Sequence, residues 1–215
     1  MRTQVTRDDE EQMTVIEVFA DVGCPFTHVG LRRFVDRRTA AGRHDLVLRV
    51  RSWPLEIING EPLDAHFIAE EVDDIRRQVA PTLFAHFSES AFPSTFLPAL
   101  TLAAAAYDQD LQSGEDVSLE LRDLLFEQGV DVGSPDVLRR VAEDHHVEID
   151  LDDTSRVLRE HADGVARGVV GSPHFFTPEG GFFCPALDVH RDEQGHLQLT
   201  PDTDNFDRFI AGCFG

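Results

Sequence analysis

Three cysteines and ten histidines hold most of the nucleophilic and proton-transfer capacity of this 215-residue chain, and Cys24 stands apart by its surroundings. It follows an apolar run, Val15-Ile16-Glu17-Val18-Phe19-Ala20, and a short turn, Asp21-Val22-Gly23, and it immediately precedes Pro25. A sulfur in that position lies where a helix begins. Unpaired backbone N–H groups and the helix dipole favour an anion there, so the expected chemistry is that of a thiolate nucleophile. The plain alternative is a packed and inert cysteine.

The elements that must position this sulfur follow from the residues around it. The β-branched and aromatic side chains before it suit a largely buried strand, and Gly23 permits a sharp turn. Pro25 fits the first helical position, where its missing N–H would have had no partner. Cys24 then falls at the N-cap, within reach of the Phe26 and Thr27 amides, and the Thr27 hydroxyl can turn toward it. Val29, Leu31, Phe34 and Val35 carry the helix on to a stop at Ala41-Gly42.

Cys24-Pro25-Phe26-Thr27 resembles the Cys-x-x-Cys site of thioredoxin-fold oxidoreductases, with Thr27 in place of the second cysteine. A single thiol stops at a mixed disulfide unless another thiol resolves it. Far along the chain, Gly168-Val169-Val170-Gly171-Ser172-Pro173-His174-Phe175-Phe176 resembles the Gly-Val-x-Gly-x-Pro-x-Phe segment of the DsbA-like branch of that fold. The resemblance implies that Pro173 is cis and lies against the catalytic thiol. It also implies that the Ser172 backbone is open to an extended substrate or a thiol cofactor. Cys24, Thr27 and Pro173 become the expected catalytic set, with Pro25, Phe26, Ser172 and His174 contacting substrate. The stretch 125–138 is similar to the helical insert of polyketide-synthesis-type DsbA proteins.

The implied architecture is α/β: a thioredoxin fold with a mixed four-stranded sheet, and an all-helical insertion between the second strand and the cis-proline strand. The residues divide accordingly into a flexible start over 1–13, an N-terminal part of the fold over 14–63, the insertion over 64–167 and a C-terminal part over 168–215. A second strand is expected within 43–54. Helical stripes appear at Leu97, Leu100, Leu102, Ala103 and Ala106, at Leu121, Leu124, Leu125 and Phe126, and after the N-cap signal Ser134-Pro135. Short β-like runs at 175–177 and 181–184 flank the turn Pro178-Glu179-Gly180, and a last helix is expected over 204–213.

Composition narrows the partners. Forty acidic residues against 19 basic ones give a formal charge of −21, and every basic residue is arginine. A field of that sign repels nucleic acid and acidic membranes, so neither is an expected partner. The polar start over 1–11 has no apolar signal-peptide core, and the apolar run over 96–106 is short and broken by proline. A cytoplasmic protein is expected, with a homodimer left open. Carboxylates near the sulfur would oppose its ionisation, and Asp21 is the one to watch; its plain reading is a solvated acid at a strand end.

The remaining candidates are secondary. Three cysteines in a reducing compartment argue against a structural disulfide framework, and Cys213 reads as a packer in the last helix. Cys184 is a possible accessory thiol: by the strand order the resemblance implies, it returns to the active-site edge with one strand between it and the strand leading to Cys24, at roughly 10 Å by two inter-strand spacings. That exceeds the usual disulfide reach without loop movement. His28, in the second turn of the thiol helix, could favour a thiolate if charged, as could His174, although packing explains either. His145, His146 and His161 lack zinc-site spacing and read as surface residues, and no metal is expected.

Three functions remain open. The first is a DsbA-like thiol-disulfide oxidoreductase or thiol transferase working through Cys24 and a mixed disulfide, with a small thiol/disulfide or a protein thiol as substrate. The second is a glutathione-dependent isomerase or transferase, like 2-hydroxychromene-2-carboxylate isomerase and the kappa class, which carry a hydroxyl residue where Cys24 stands. The third is a binding module of the same fold without catalysis. No tightly bound cofactor is expected beyond a low-molecular-weight thiol, glutathione or an equivalent.

Overall fold

The computed structural model describes residues 13–215, so the start expected to be frayed lies outside the described residues apart from its last position. Strand β1, Thr14–Ala20, leads through the Gly23 turn into helix α1, Pro25–Ala40, with Cys24 at its N-cap. Strand β2 is Leu46–Ser52, shorter than the run expected over 43–54. Its start is set by Arg43, which closes a turn on Asp45, and its end by Trp53-Pro54, where Pro54 caps the short helix α2, Leu55–Asn59.

Five longer helices follow: α3 (Ala65–Gln78), α4 (Leu97–Gln109), α5 (Leu111–Phe126), α6 (Pro135–Asp144) and α7 (Ser155–Ala166). The stretch between α3 and α4 is turns and a 3-10 segment, Glu89–Ala91. Pro81 and Pro93 remove helix N–H donors there. Strand β3, His174–Thr177, and strand β4, Gly180–Phe183, complete a mixed sheet of order β2-β1-β3-β4, in which only β1 and β2 run parallel. This is the expected α/β thioredoxin fold. Helix α8, Thr203–Phe214, ends the chain.

A hairpin of β5 (Leu187–Arg191) and β6 (Leu197–Pro201) forms a separate two-stranded sheet that sequence reading did not assign. Its period-two signal, Leu187 and Val189 against Leu197 and Leu199, spans only two apolar residues a side. It is held by a helix distant in sequence: the Gln78 side chain donates to Leu197 O and accepts from Leu199 N, extending the β6 edge.

One packing device ties the helices to the sheet. Strand β2 is an edge, and alternate N–H groups along it would face outward unpaired. Each finds a side chain from a different helix. Leu48 N donates to Glu115 of α5 at 2.7 Å, Val50 N to the Tyr107 hydroxyl of α4 at 2.9 Å, and Ser52 N to Glu160 of α7 at 2.8 Å. Tyr107 also donates to Leu48 O at 2.9 Å, and Arg38 of α1 neutralises Glu115. The burial of these carboxylates is tolerated because each is hydrogen-bonded and paired. The main apolar core lies among α3 to α7, and a second core fills the sheet face under α1 and α8, around Ile16, Leu31, Phe34, Phe175 and Phe209.

Candidate active site

The Cys24 sulfur lies at the junction of three chain segments. It donates an S–H hydrogen bond to Ser172 O at 3.3 Å, and the Ser172–Pro173 peptide is cis. Pro173 packs over the thiol helix at Gly30, where an added Cβ would stand 3.6 Å from the proline Cγ. Ser172 Oγ accepts from Asp21 N at 2.9 Å and shares a 2.8 Å hydrogen bond with Thr27 Oγ1. The two distant motifs therefore meet, with Cys24, Thr27, Ser172 and Pro173 in one cluster.

The electrostatics depart from the expected thiolate. Cys24 is 3% exposed, and burial pushes its thiol up from the ordinary range. The Thr27 amide and hydroxyl and the Ser172 side chain pull it back, while the Asp21 charge adds to the rise. The physical reason is desolvation: a helix start offers partial charges, but removing a thiolate from water costs more than they return here.

Asp21 is also not the solvated acid expected. It is fully buried, with one carboxylate oxygen accepting from Gly23 N and the other from Leu55 N, both at 2.7 Å. Burial raises it to about 6, against the two amide hydrogen bonds and Arg122, which lower it. Arg122 is itself buried on α5 and donates to Asp21 O at 3.1 Å and to Ser118. This pair clamps the turn before the thiol to both α2 and the helical segment. Sequence reading noted Asp21 but not Arg122, 101 residues away, for which no local signal exists.

The other expected site residues separate. His28 is buried between the Phe84 and Phe126 rings, and Nε2 bonds to Glu127 at 2.6 Å. Burial lowers its pKa, while Glu127 opposes that shift, so a cationic His28 serving the sulfur is not what the structure shows. His174 stacks on Phe176, on the sheet face with Phe19, opposite α1. Burial and Arg167 lower its pKa, and its Nδ1 accepts from Val170 N at 3.3 Å. His145, read as a surface residue, is buried against Glu120 at 2.6 Å, and His161 packs on Trp53. Cys184 follows β4 and donates its N–H to Pro173 O at 2.9 Å; burial raises its thiol to about 12, and the nearby Cys24 adds to the rise. Cys213 is packed in the core beneath α8, with its thiol likewise raised to about 12 by burial.

Cys24 and Ser172 form the floor of a cleft of about 930 Å³, within the size range of small-molecule sites. Pro25 and Phe26 flank the sulfur. The walls come from the segment 55–71 and from Phe92, Pro93 and Ser94. Glu56 joins the two walls by accepting from Phe96 N at 2.7 Å and from Thr95 Oγ1 at 2.8 Å. Sequence reading missed these walls, because their apolar residues carry no motif. Among the described residues, no group of three or more His, Cys, Asp and Glu could hold a metal ion, and no helix is long and apolar enough to cross a membrane.

Comparison with known proteins agrees with this fold. A search of curated proteins gives no significant match. Solved structures share the fold at low identity. A 2-hydroxychromene-2-carboxylate isomerase is 12% identical, over 79% of this chain and 88% of that one, with a TM-score of 0.56. The cytosolic disulfide reductase DsbM from Pseudomonas aeruginosa is 14% identical, over 92% and 97%, with a TM-score of 0.53. Its glutathione-bound form matches over the same shares at 14% identity and a TM-score of 0.55. At such identities the likeness carries the fold alone, but the DSBA-like thioredoxin domain matches residues 15–194, and with that span the chain belongs to this family.

Proposed function

We propose that this protein is a thiol-disulfide exchange enzyme working through the single thiol of Cys24. The observation that carries the reading is the Cys24 sulfur on the floor of an open cleft, 3.3 Å from the Ser172 carbonyl oxygen. A disulfide entering the cleft comes up against Cys24, Pro25 and Phe26. Cys24 gives up its proton, its sulfur bonds to the nearer substrate sulfur, and the other substrate sulfur leaves with the bonding electron pair and takes up a proton as a thiol. The Thr27 N–H and hydroxyl offset part of the cost of ionising the buried sulfur as it attacks. With Thr27 where a second cysteine would stand, a low-molecular-weight thiol then loses its proton and attacks the substrate sulfur of the mixed disulfide, leaving as a new disulfide with it while Cys24 departs with the bonding pair and regains a proton.

This direction of reaction, reduction of a substrate disulfide at the expense of small thiols, suits a reducing cytoplasm. It also agrees with the role of DsbM, a cytosolic disulfide reductase of the same fold. The isomerase reading needs a grip for the carboxylates of glutathione. The described cleft lining offers Glu61, Asp64 and Glu71 instead, and no arginine.

Incubation with 2-hydroxyethyl disulfide followed by intact mass and peptide mapping tests the proposal. One mixed disulfide on Cys24, abolished by Cys24→Ser and kept by Cys213→Ser, is the expected result. Absence of an adduct, or an adduct confined to Cys184 or Cys213, overturns it.

A further inference from the structure

The cleft lining assigns a substrate class as well as a reaction, and this inference rests on the exchange reading above. Beside its apolar surfaces at Phe26, Leu63 and Phe92, the cleft presents three carboxylates, Glu61, Asp64 and Glu71, and among the described lining residues no cation. Glu61 and Asp64 are exposed at its mouth. The Asp64 carboxylate accepts the Phe67 N–H of its own helix start, at 2.7 Å. Glu71 is 12% exposed, meets Arg191 at 3.3 Å and is raised to about 7 by burial, so the charge offered to a ligand lies on Glu61 and Asp64.

The surrounding arginines are already engaged. Arg191 stacks over Phe67 at 5.2 Å and faces an adjoining hollow that also holds Glu70, Asp73 and Asp74. Arg33 donates to Ala186 O and Val79 O, and Arg122 lies buried beneath the site. A ligand in the cleft therefore meets the carboxylates of Glu61 and Asp64 on the wall over 55–71, within a chain of formal charge −21. We propose that Glu61 and Asp64 select low-molecular-weight disulfides bearing an amine near the sulfur, and reject carboxylate-rich disulfides such as glutathione disulfide.

Two effects act in the same direction. An ammonium group is attracted to the wall carboxylates, while a carboxylate must approach them against repulsion and partial desolvation. A cation beside Cys24 also relieves the cost of placing a thiolate near Asp21, so an amine-bearing substrate promotes the ionisation that its own exchange requires. The cleft volume suits a ligand of small-molecule size rather than a folded protein surface.

The test measures the rate of mixed-disulfide formation on Cys24 by intact mass, using cystamine, 2-hydroxyethyl disulfide and glutathione disulfide. Each rate is divided by that of N-acetylcysteine with the same disulfide, which removes intrinsic reactivity. At low salt the corrected rates are expected to fall in that order, with cystamine at least about tenfold ahead of glutathione disulfide. Salt at about 0.5 M should narrow the gap to within about threefold, because the Debye length falls below the cleft dimensions. The double variant Glu61→Gln, Asp64→Asn should narrow it similarly, with the asparagine retaining the cap at position 64. If that variant does not fold, Glu61→Gln alone, at an exposed position, should still lower the ratio about twofold. Equal corrected rates, a lead for glutathione disulfide, or a ratio unmoved by both salt and substitution overturns the selectivity. Failure of all three disulfides to modify Cys24 overturns the exchange reading instead.

Discussion

Replacing Asp21 by asparagine separates the cost of a buried charge from the value of its hydrogen bonds. In the native protein the carboxylate is held in the turn by two amide donors, yet burial leaves its pKa at about 6 against an ordinary value of 3.8. The folded state therefore binds more protons than the unfolded chain between these two values, and this group's contribution to stability is lost as pH rises through that window. A shift of about two units corresponds to roughly 3 kcal/mol withheld from the native state at neutral pH. The asparagine of Asp21→Asn would carry no charge but would turn an NH₂ toward the Gly23 or Leu55 N–H, leaving one buried donor unpaired at a cost of about 1–3 kcal/mol. Urea unfolding of both proteins at pH 4, 5, 6 and 7 reads the difference. The variant should gain about 2–3 kcal/mol relative to the native chain between pH 4 and 7, whatever its offset at pH 4. A pH-independent difference would refute the account of Asp21 as a buried, pH-sensitive carboxylate. The same variant should alkylate faster at Cys24 near neutral pH, because the charge that opposes the thiolate is gone.

Other outcomes follow from the same geometry. Iodoacetamide should modify Cys24 more slowly at pH 7 than a free thiol of pKa about 8.5, with the rate still climbing about tenfold per unit at pH 8.5; a plateau below that pH would show the helix start outweighing burial. Tyr107→Phe removes one partner from both Val50 N and Leu48 O, and should lower the unfolding free energy by about 2–4 kcal/mol, read from the urea midpoint, with little change in Cys24 alkylation. Gly23→Ala places a Cβ 2.5 Å from the buried Phe96 ring, and should cost about 1–3 kcal/mol and slow mixed-disulfide formation by shifting the turn that carries the sulfur.

What could be read early was local. The strand, turn and helix around Cys24 and the proline segment at Ser172-Pro173 carry their own signals over a few residues, and both stand as expected in the fold. The β5–β6 hairpin escaped because two apolar residues per strand do not rise above a polar surface pattern, and its edge is completed by Gln78, more than a hundred residues away. Asp21 and His145 misled for a common reason. A polar residue is expected in water unless a partner is known, and their partners, Leu55 with Arg122 and Glu120, are fixed only when the helices dock.

The sequence by itself determined that a thiol would stand at a helix start, since dihedral preference and capping act between neighbours, while the proline segment that meets it was implied by the family resemblance. Tertiary structure alone decided the charge state of that thiol and the character of its cleft. Those depend on how much water is excluded around Cys24 and on which carboxylates the segment 55–71 brings to the opening, and desolvation and through-space charge are properties of the packed chain rather than of any stretch of it.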